Sequence, residues 1–506
     1  MPPLGLNMKR KSGILMPIFS LPNKYGIGDF GSSAYNFINY LKKAGQTLWQ
    51  TLPLVQTGYG DSPYSSVCSY SFNPYFISPE LLYKQGLLTK EELSFVRIQS
   101  QRVNYADLYA VRYPMLRKAF GRFYRGDEGF IAFVKSKKYY NYALFMALKF
   151  ASGQKHFYEW EERFKYRDKK ALSSFAKSYQ EEILFWQFVQ YTAKSQWLEL
   201  KKYANQKGVE IIGDLPLYVA LDSVDVWENP TLYKLDENLL PKKVAGVPPD
   251  YFCEDGQLWG NPVYDYAVHK QSNFIWWSNR LKKALEVYDY IRIDHFRGLD
   301  RYFEISADAK NARQGEWINV PSDELFSAIH KRVNKKRIIA EDLGIIDDGV
   351  RELLSKVGYP GMKILSFAFN GEENNLYLPQ HINNNAVCYT GTHDNDTLIG
   401  LISTLNEWDY NNLINGIKNS LEAFGLKGNI KTQEGIVDAL IELGMACKAD
   451  TFILPLQDLL YKNGEYRINR PGIVGDFNWS VRFENCDFSL SSAKKLKNLS
   501  VKYNRN

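Results

Sequence analysis

Cysteine is scarce in this chain: five in 506 residues, at positions 68, 253, 388, 447 and 486, with no C-x-x-C pair. A set so sparse and odd excludes a disulfide framework and a cysteine-built zinc site, and it points to a reducing compartment. Long apolar runs are lacking too. No stretch approaches the roughly 20 residues a bilayer span needs. The apolar start 14–19 is short and broken by Pro17, unlike a signal peptide. The expected address is the cytoplasm, with no membrane partner. A strong charge bias is also missing: 63 basic against 56 acidic residues leave +7, and basic runs occur only at 9–11, 335–337 and 494–497. Nucleic-acid binders concentrate charge on one stripe, so no nucleic-acid partner is expected. There is no P-loop and no H-E-x-x-H, and the G-x-G at 58–60 is followed by Pro63 without the third glycine of a dinucleotide loop. The histidines form no ligand-like spacings. Neither a metal nor an organic cofactor is expected.

What is present is an ordinary globular balance, 45% hydrophobic and 24% charged, with an unusual 15% of aromatic residues. Rings in such number belong in a core or on surfaces that stack flat ligands such as sugars or bases. Short apolar, β-rich segments recur at 12–19, 47–54, 209–219, 290–296, 336–343, 362–369, 386–392 and 451–456. Their near-continuous hydrophobicity suits buried parallel strands. Eight such strands suit a (β/α)₈ barrel, although an open doubly wound sheet accommodates them equally. The long interval 78–206, rich in Lys, Glu, Leu, Tyr and Ala, predicts a helical insertion after the second strand. The interval 221–287, with its Pro, Gly and Trp clusters, predicts an elaborate loop. Together they describe residues 1–506 as one catalytic barrel with two insertions.

The segment Tyr290-Ile-Arg-Ile-Asp-His-Phe-Arg-Gly298 alternates so that Arg292 and Asp294 share one face. Near the C-terminal end of a barrel strand, the guanidinium would keep that carboxylate ionised, as a nucleophile requires. Next, Ile338-Ile-Ala runs straight into Glu341-Asp342. A Glu ending a buried strand is a candidate for the raised pKa of a general acid. Thr390-Gly-Thr-His-Asp-Asn-Asp396 places His393 and Asp394 just past another apolar run, and Gly213-Asp214 ends a fourth. One acid at a strand end is commonplace. Acids ending four strands describe a carboxylate-lined barrel mouth, the layout of a glycosidase-type site. The segments 248–252 and 257–262 predict an ordered loop presenting rings, and Trp276-Trp277 predicts core.

In these motifs, and in Gly26 to Gly31, Val224-Asp-Val-Trp227, 246–262 and Arg467-Ile-Asn-Arg-Pro-Gly472, the chain resembles the 4-α-glucanotransferases called amylomaltases or disproportionating enzymes, glycoside hydrolase family 77. The resemblance implies a (β/α)₈ barrel with Asp294 as nucleophile, Glu341 as general acid/base and Asp394 as a third carboxylate gripping sugar hydroxyls. It implies Arg292 supporting Asp294, and Tyr59, Asp214, Gln257, Trp259, His393 and Asn469 contacting the glucan. His295 falls within the nucleophile motif, and the loop 246–254 matches one that curves over the active site, which makes 221–287 an active-site loop insertion. The implied donor is a maltooligosaccharide or a starch- or glycogen-type α-1,4-glucan, and the acceptor another glucan or glucose. The alternative on the same chemistry is an α-amylase-type retaining hydrolase, in which water takes the acceptor's place.

Overall fold

The computed structural model of the chain describes residues 10–249, 254–344 and 346–506, and at Tyr59 its backbone alone. Twelve strands run through the described residues: β1 (Lys11–Leu15), β2 (Leu48–Gln50), β3 (Glu210–Leu215), β4 (Lys243–Val247), β5 (Gln257–Pro262), β6 (Tyr290–Ile293), β7 (Arg301–Ser306), β8 (Glu316–Asn319), β9 (Ile338–Ala340), β10 (Gly361–Ile364), β11 (Ala386–Tyr389) and β12 (Thr451–Pro455). Eight of them form one sheet in the order β10-β11-β12-β1-β2-β3-β6-β9, and every pairing recorded within it is parallel. The Ala340 N–H donates to the Pro360 carbonyl (3.0 Å) across the seam between β9 and β10. The sheet therefore curls into the barrel rather than lying open, and each predicted segment supplies one strand.

Burial explains why these segments read as unbroken apolar runs. All four positions of β11 are buried, and so is every position of β2 and β9. Both faces of such strands are covered, one by the barrel interior and one by helices. The covering helices include Ser32–Lys43, Ile275–Val287, Ser322–His330, Asp348–Val357, Gln433–Ala446 and Leu490–Lys502. Between β10 and β11 the chain instead makes the 3-10 turns Leu365–Phe367 and Pro379–His381. The intervening Asn370-Gly-Glu-Glu-Asn-Asn375 and Pro379 favour turns over helix.

Between β2 and β3 lie helices from Pro79–Lys84 to the 27-residue Gln180–Gln206. That last helix joins the inserted helices to the barrel. Its Trp197 packs on Phe30 with ring centroids 5.2 Å apart and donates to the Val287 carbonyl (2.9 Å), and its Tyr203 donates to Asn39 (2.7 Å). The interval 221–287 is less irregular than its composition predicts. It contributes β4 and β5 to a second sheet, ordered β5-β4-β7-β8 and antiparallel throughout. β4 pairs with β7 some sixty residues later, Lys243 facing Ser306, so no local periodicity announces it.

Close approach fixes one residue of β3. A Cβ at Gly213 would sit 2.2–2.4 Å from the ring of Tyr288, whose hydroxyl accepts the Leu54 N–H (3.1 Å). Overpacking of this kind costs about 1–3 kcal/mol. Gly213→Ala is expected to lower the thermal midpoint and to shift the neighbouring Asp214. Calorimetry checks the midpoint, and an unchanged midpoint would contradict the packing.

Candidate active site

Strand register assembles the site. β3 and β6 pair with Asp214 opposite Arg292 and Leu215 opposite Ile293, and β6 and β9 pair with Ile293 opposite Ala340. One residue further, the Asp294 N–H donates to the Leu215 carbonyl and the Glu341 N–H to the Ile293 carbonyl, both at 3.0 Å. Asp294 and Glu341 thus leave adjacent strands at the same level of the barrel mouth. His295 adopts a left-handed backbone (φ 53°), which turns its N–H onto Glu341 Oε2 (2.6 Å), while the Leu343 N–H donates to Oε1 (2.9 Å). Both carboxylate oxygens of Glu341 are held by backbone.

Arg292 is the cation of the cluster. Its Nε and an Nη donate to Asp214 at 2.9 and 2.6 Å, and the same Nη donates to Asp294 Oδ1 at 2.7 Å. The side chains of Arg292 and Asp214 are 3% and 0% exposed, against 28% for Asp294. Asp214 is therefore a buried counter-charge, and Asp294 is the carboxylate that reaches the open mouth. Burial pushes the Asp294 carboxyl up, Arg292 pulls it back, and Asp214, Glu341 and Asp394 push it up further. Burial likewise pushes Glu341 up, to about 7, against the pull of Arg292. The two acids titrate as a pair. Both carboxyls are raised overall, and Arg292 bonds Asp294 directly whereas Glu341 is held by two backbone N–H groups.

A third acid arrives from β11. Asp458 accepts from the Thr390 hydroxyl (2.6 Å) and the Leu398 N–H (2.8 Å), and Asn395 accepts from the Thr392 N–H (2.8 Å). Thr397 caps the helix Leu398–Thr404 by accepting from the Gly400 N–H (3.0 Å). The turn so braced carries His393 and Asp394. Asn469 donates to Asp394 Oδ1 (2.7 Å), and its N–H donates to the His393 carbonyl (3.1 Å). Asp394 is 41% exposed and faces His393 Nε2 at 3.4 Å.

Of the residues selected from the sequence, Asp214, Arg292, Asp294, Glu341, His393, Asp394 and Asn469 lie in this connected cluster. Trp259 joins it through ring contacts to His295 (4.8 Å) and Tyr218 (6.2 Å), and its Nε1 donates to Gln257 (3.1 Å). Trp259 is 36% exposed, so a ring face is free to stack on a sugar. Burial lowers His295 to about 4. The side chain of Tyr59, and Asp250 to Cys253 of the loop 246–254, lie outside the described residues. Trp277 is core, 1% exposed.

Two residues join the site unselected. Tyr64, from the same loop as Tyr59, donates its hydroxyl to Asp214 Oδ2 (2.5 Å) and lies 2.9 Å from His393 Nε2, with the two rings stacked at 5.3 Å. Burial lowers the His393 pKa. The neutral ring then donates from Nε2 to the Tyr64 oxygen, whose own proton goes to Asp214. Trp479, in a left-handed turn (φ 57°), closes the stack at 5.5 Å from Tyr64 and 6.0 Å from His393. The resemblance did name Tyr59, five residues before Tyr64. The irregular backbone of their loop, with positive φ at Gly60 and Asp61, gave no period from which to choose between tyrosines. Tyr64→Phe should cut turnover about tenfold, in line with one charge-assisted hydrogen bond, and leave the fold intact by circular dichroism. Unchanged turnover would remove Tyr64 from the network.

The arrangement offers a carboxyl group bonded to an arginine, a second carboxyl on the next strand with a raised pKa, and a third acid with amide, imidazole and indole neighbours. It can cleave a glycosidic bond through paired acid and carboxylate. Comparisons with known proteins agree. A family profile described as 4-alpha-glucanotransferase matches residues 16–488. The chain is 41% identical to the 4-alpha-glucanotransferase of Clostridium butyricum, over 97% of this chain and all of that one, and 39% identical to that of Thermus thermophilus over 97% and 98%. The amylomaltase from Streptococcus agalactiae, solved in complex with acarbose, superposes with a TM-score of 0.93 at 38% identity, covering 98% of this chain and all of that one. The chain belongs to the 4-α-glucanotransferase family and carries its transferase activity.

Proposed function

We propose that the chain cuts an α-1,4-glucan at this barrel mouth and joins the cut segment to the 4-hydroxyl of a second glucan or of glucose. The donor is a maltooligosaccharide or a starch- or glycogen-type chain. In the first step an Asp294 oxygen bonds to the anomeric carbon, the glycosidic C–O bond breaks, and the Glu341 proton passes to the departing oxygen. In the second, Glu341 takes the proton of the incoming 4-hydroxyl, whose oxygen bonds to the anomeric carbon as the ester to Asp294 breaks. Asp394, held by Asn469, grips sugar hydroxyls, and Trp259 stacks on a ring. The observation that carries this reading is the bond from His295 N–H to Glu341, since it ties the residue after Asp294 directly to the proposed acid. The acarbose bound by the Streptococcus agalactiae relative supports a glucan-shaped cleft. Free thiols at Cys68, Cys388, Cys447 and Cys486 support a reducing, cytoplasmic setting.

Incubation with maltotriose alone tests the reaction. Transfer yields glucose together with a ladder of longer oligosaccharides. Glucose and maltose with nothing longer would mean that water wins the second step and would overturn transfer. The raised Glu341 pKa sets the pH dependence. A general acid works only while protonated, so activity should fall as pH rises through about 7. It should also fall at low pH as Asp294 gains a proton. Initial rates from about pH 5 to about pH 9 give the two limbs, and an alkaline limb absent near 7 would count against Glu341.

A further inference from the structure

Tyr64 and Asp214 also line a cavity of about 180 Å³ that Asp294, Glu341, Asp394, His393 and Trp259 do not border. The inserted segment, through Tyr139, Lys194 and Leu198, and the helix Ile275–Val287, through Arg280, Lys283 and Val287, contribute to its walls. Leu54, Phe72, Tyr139, Leu215 and Tyr288 line it and are all buried. An apolar cavity of roughly 150 Å³ already holds a benzene ring, so this one takes a single ring with a small substituent.

Charge around the cavity is unbalanced. Four cations line it, Lys138, Lys194, Arg280 and Lys283, with only Glu286 and Asp214 as acids. Asp214 is bound by Arg292, and Glu286 pairs with Lys138 at 3.5 Å. Lys194 and Lys283 make no direct ion pair among the described residues. Each rests over a ring, Lys194 5.7 Å from the centroid of Tyr139 and Lys283 3.7 Å from that of Tyr70. Burial, with Lys138 adding to it, lowers the Lys194 pKa, so a nearby anion would favour its charged form. Arg280 lends its two Nη atoms to the carbonyls of Leu217 (2.7 Å) and Pro216 (2.6 Å), while its buried Nε has no hydrogen-bond partner among the described residues.

We propose that this cavity binds a small aromatic anion, one ring bearing a carboxylate or phosphate, and that its occupancy slows the enzyme through the shared Tyr64–Asp214 wall. The ring fills the apolar interior and the anion meets Lys194 and Lys283. Pressure on Tyr64 loosens its bonds to Asp214 and His393, so turnover falls while glucan binding in the neighbouring cleft persists. The kinetic half of this proposal rests on the active-site reading above, whereas the binding half does not.

Saturation-transfer NMR and calorimetry on the full chain test it with phenyl phosphate and with neutral benzyl alcohol as probes. Phenyl phosphate should bind in the presence of saturating acarbose. The pair Lys194→Met and Lys283→Met should weaken it about a hundredfold, about tenfold for each charge-assisted contact removed, and leave benzyl alcohol nearly unchanged. Ala284→Phe, which fills the cavity, should abolish both. With maltotriose as substrate, phenyl phosphate should lower kcat and leave KM nearly constant. Displacement by acarbose, equal binding to the double lysine variant, or no binding at all would each overturn the site. Binding without any effect on kcat would overturn the coupling to Tyr64. Binding is read without turnover, so failure of the Asp294–Glu341 assignment would leave that readout intact and the two failures distinguishable.

Discussion

Asp294→Asn is expected to abolish transfer from maltotriose, by a factor of at least about 10⁴, the scale on which loss of a covalent nucleophile is felt. The amide keeps an oxygen for the Arg292 bond seen at 2.7 Å, so shape and glucan binding should survive while ester formation does not. Glu341→Gln should lower transfer about 10²- to 10⁴-fold with the natural glucan, because the departing oxygen then leaves unprotonated. With α-maltotriosyl fluoride, whose leaving group needs no proton, the loss in the first step should largely vanish. That contrast separates an acid from a merely structural glutamate. Product chromatography with both donors measures it, and full turnover of maltotriose by either variant would sink the assignment.

Arg292→Met should damage both stability and catalysis. The guanidinium is the one cation bonded to Asp214 and to Asp294 among the described residues, and it is 3% exposed. Removing it strands a fully buried Asp214 carboxylate and deprives Asp294 of the contact that favours its ionised form. Breaking a buried pair from one side costs about 3–5 kcal/mol. Chemical denaturation should show a loss of that size, and transfer should fall to background. Adding Asp214→Asn to Arg292→Met should restore part of the stability, since one stranded charge is then gone, without restoring activity. Arg292→Lys should not substitute, because a single ammonium cannot grip Asp214 through two nitrogens while reaching Asp294. A stable, active Arg292→Met protein would mean that the cluster is not electrostatically coupled.

The acid-bearing strands were readable because their pattern is written over a few consecutive residues. Alternation places Arg292 of β6 and Asp294, one residue past its end, on one face, and the Arg292–Asp294 bond realises it. The abrupt change from Ile338-Ile-Ala to Glu341-Asp342 marks the end of β9. Apolar runs of that length are specified locally, since both faces of each strand are covered.

What the sequence could not decide depends on contacts between distant segments. Tyr64 rather than another tyrosine of its loop meets Asp214, 150 residues away, because of loop backbone with positive φ that no periodicity encodes. Trp479 reaches His393 only because the chain after β12 folds back over the mouth. β4 finds β7 through pairing that neither strand announces. By itself, the sequence determined the eight buried strands and the acids at their ends, since burial and charge are properties of each residue in its own segment. Register, the sharing of Arg292 between two carboxylates and the rings that close the site were decided by the tertiary structure, because each requires two or more segments to be held at hydrogen-bonding or van der Waals distance.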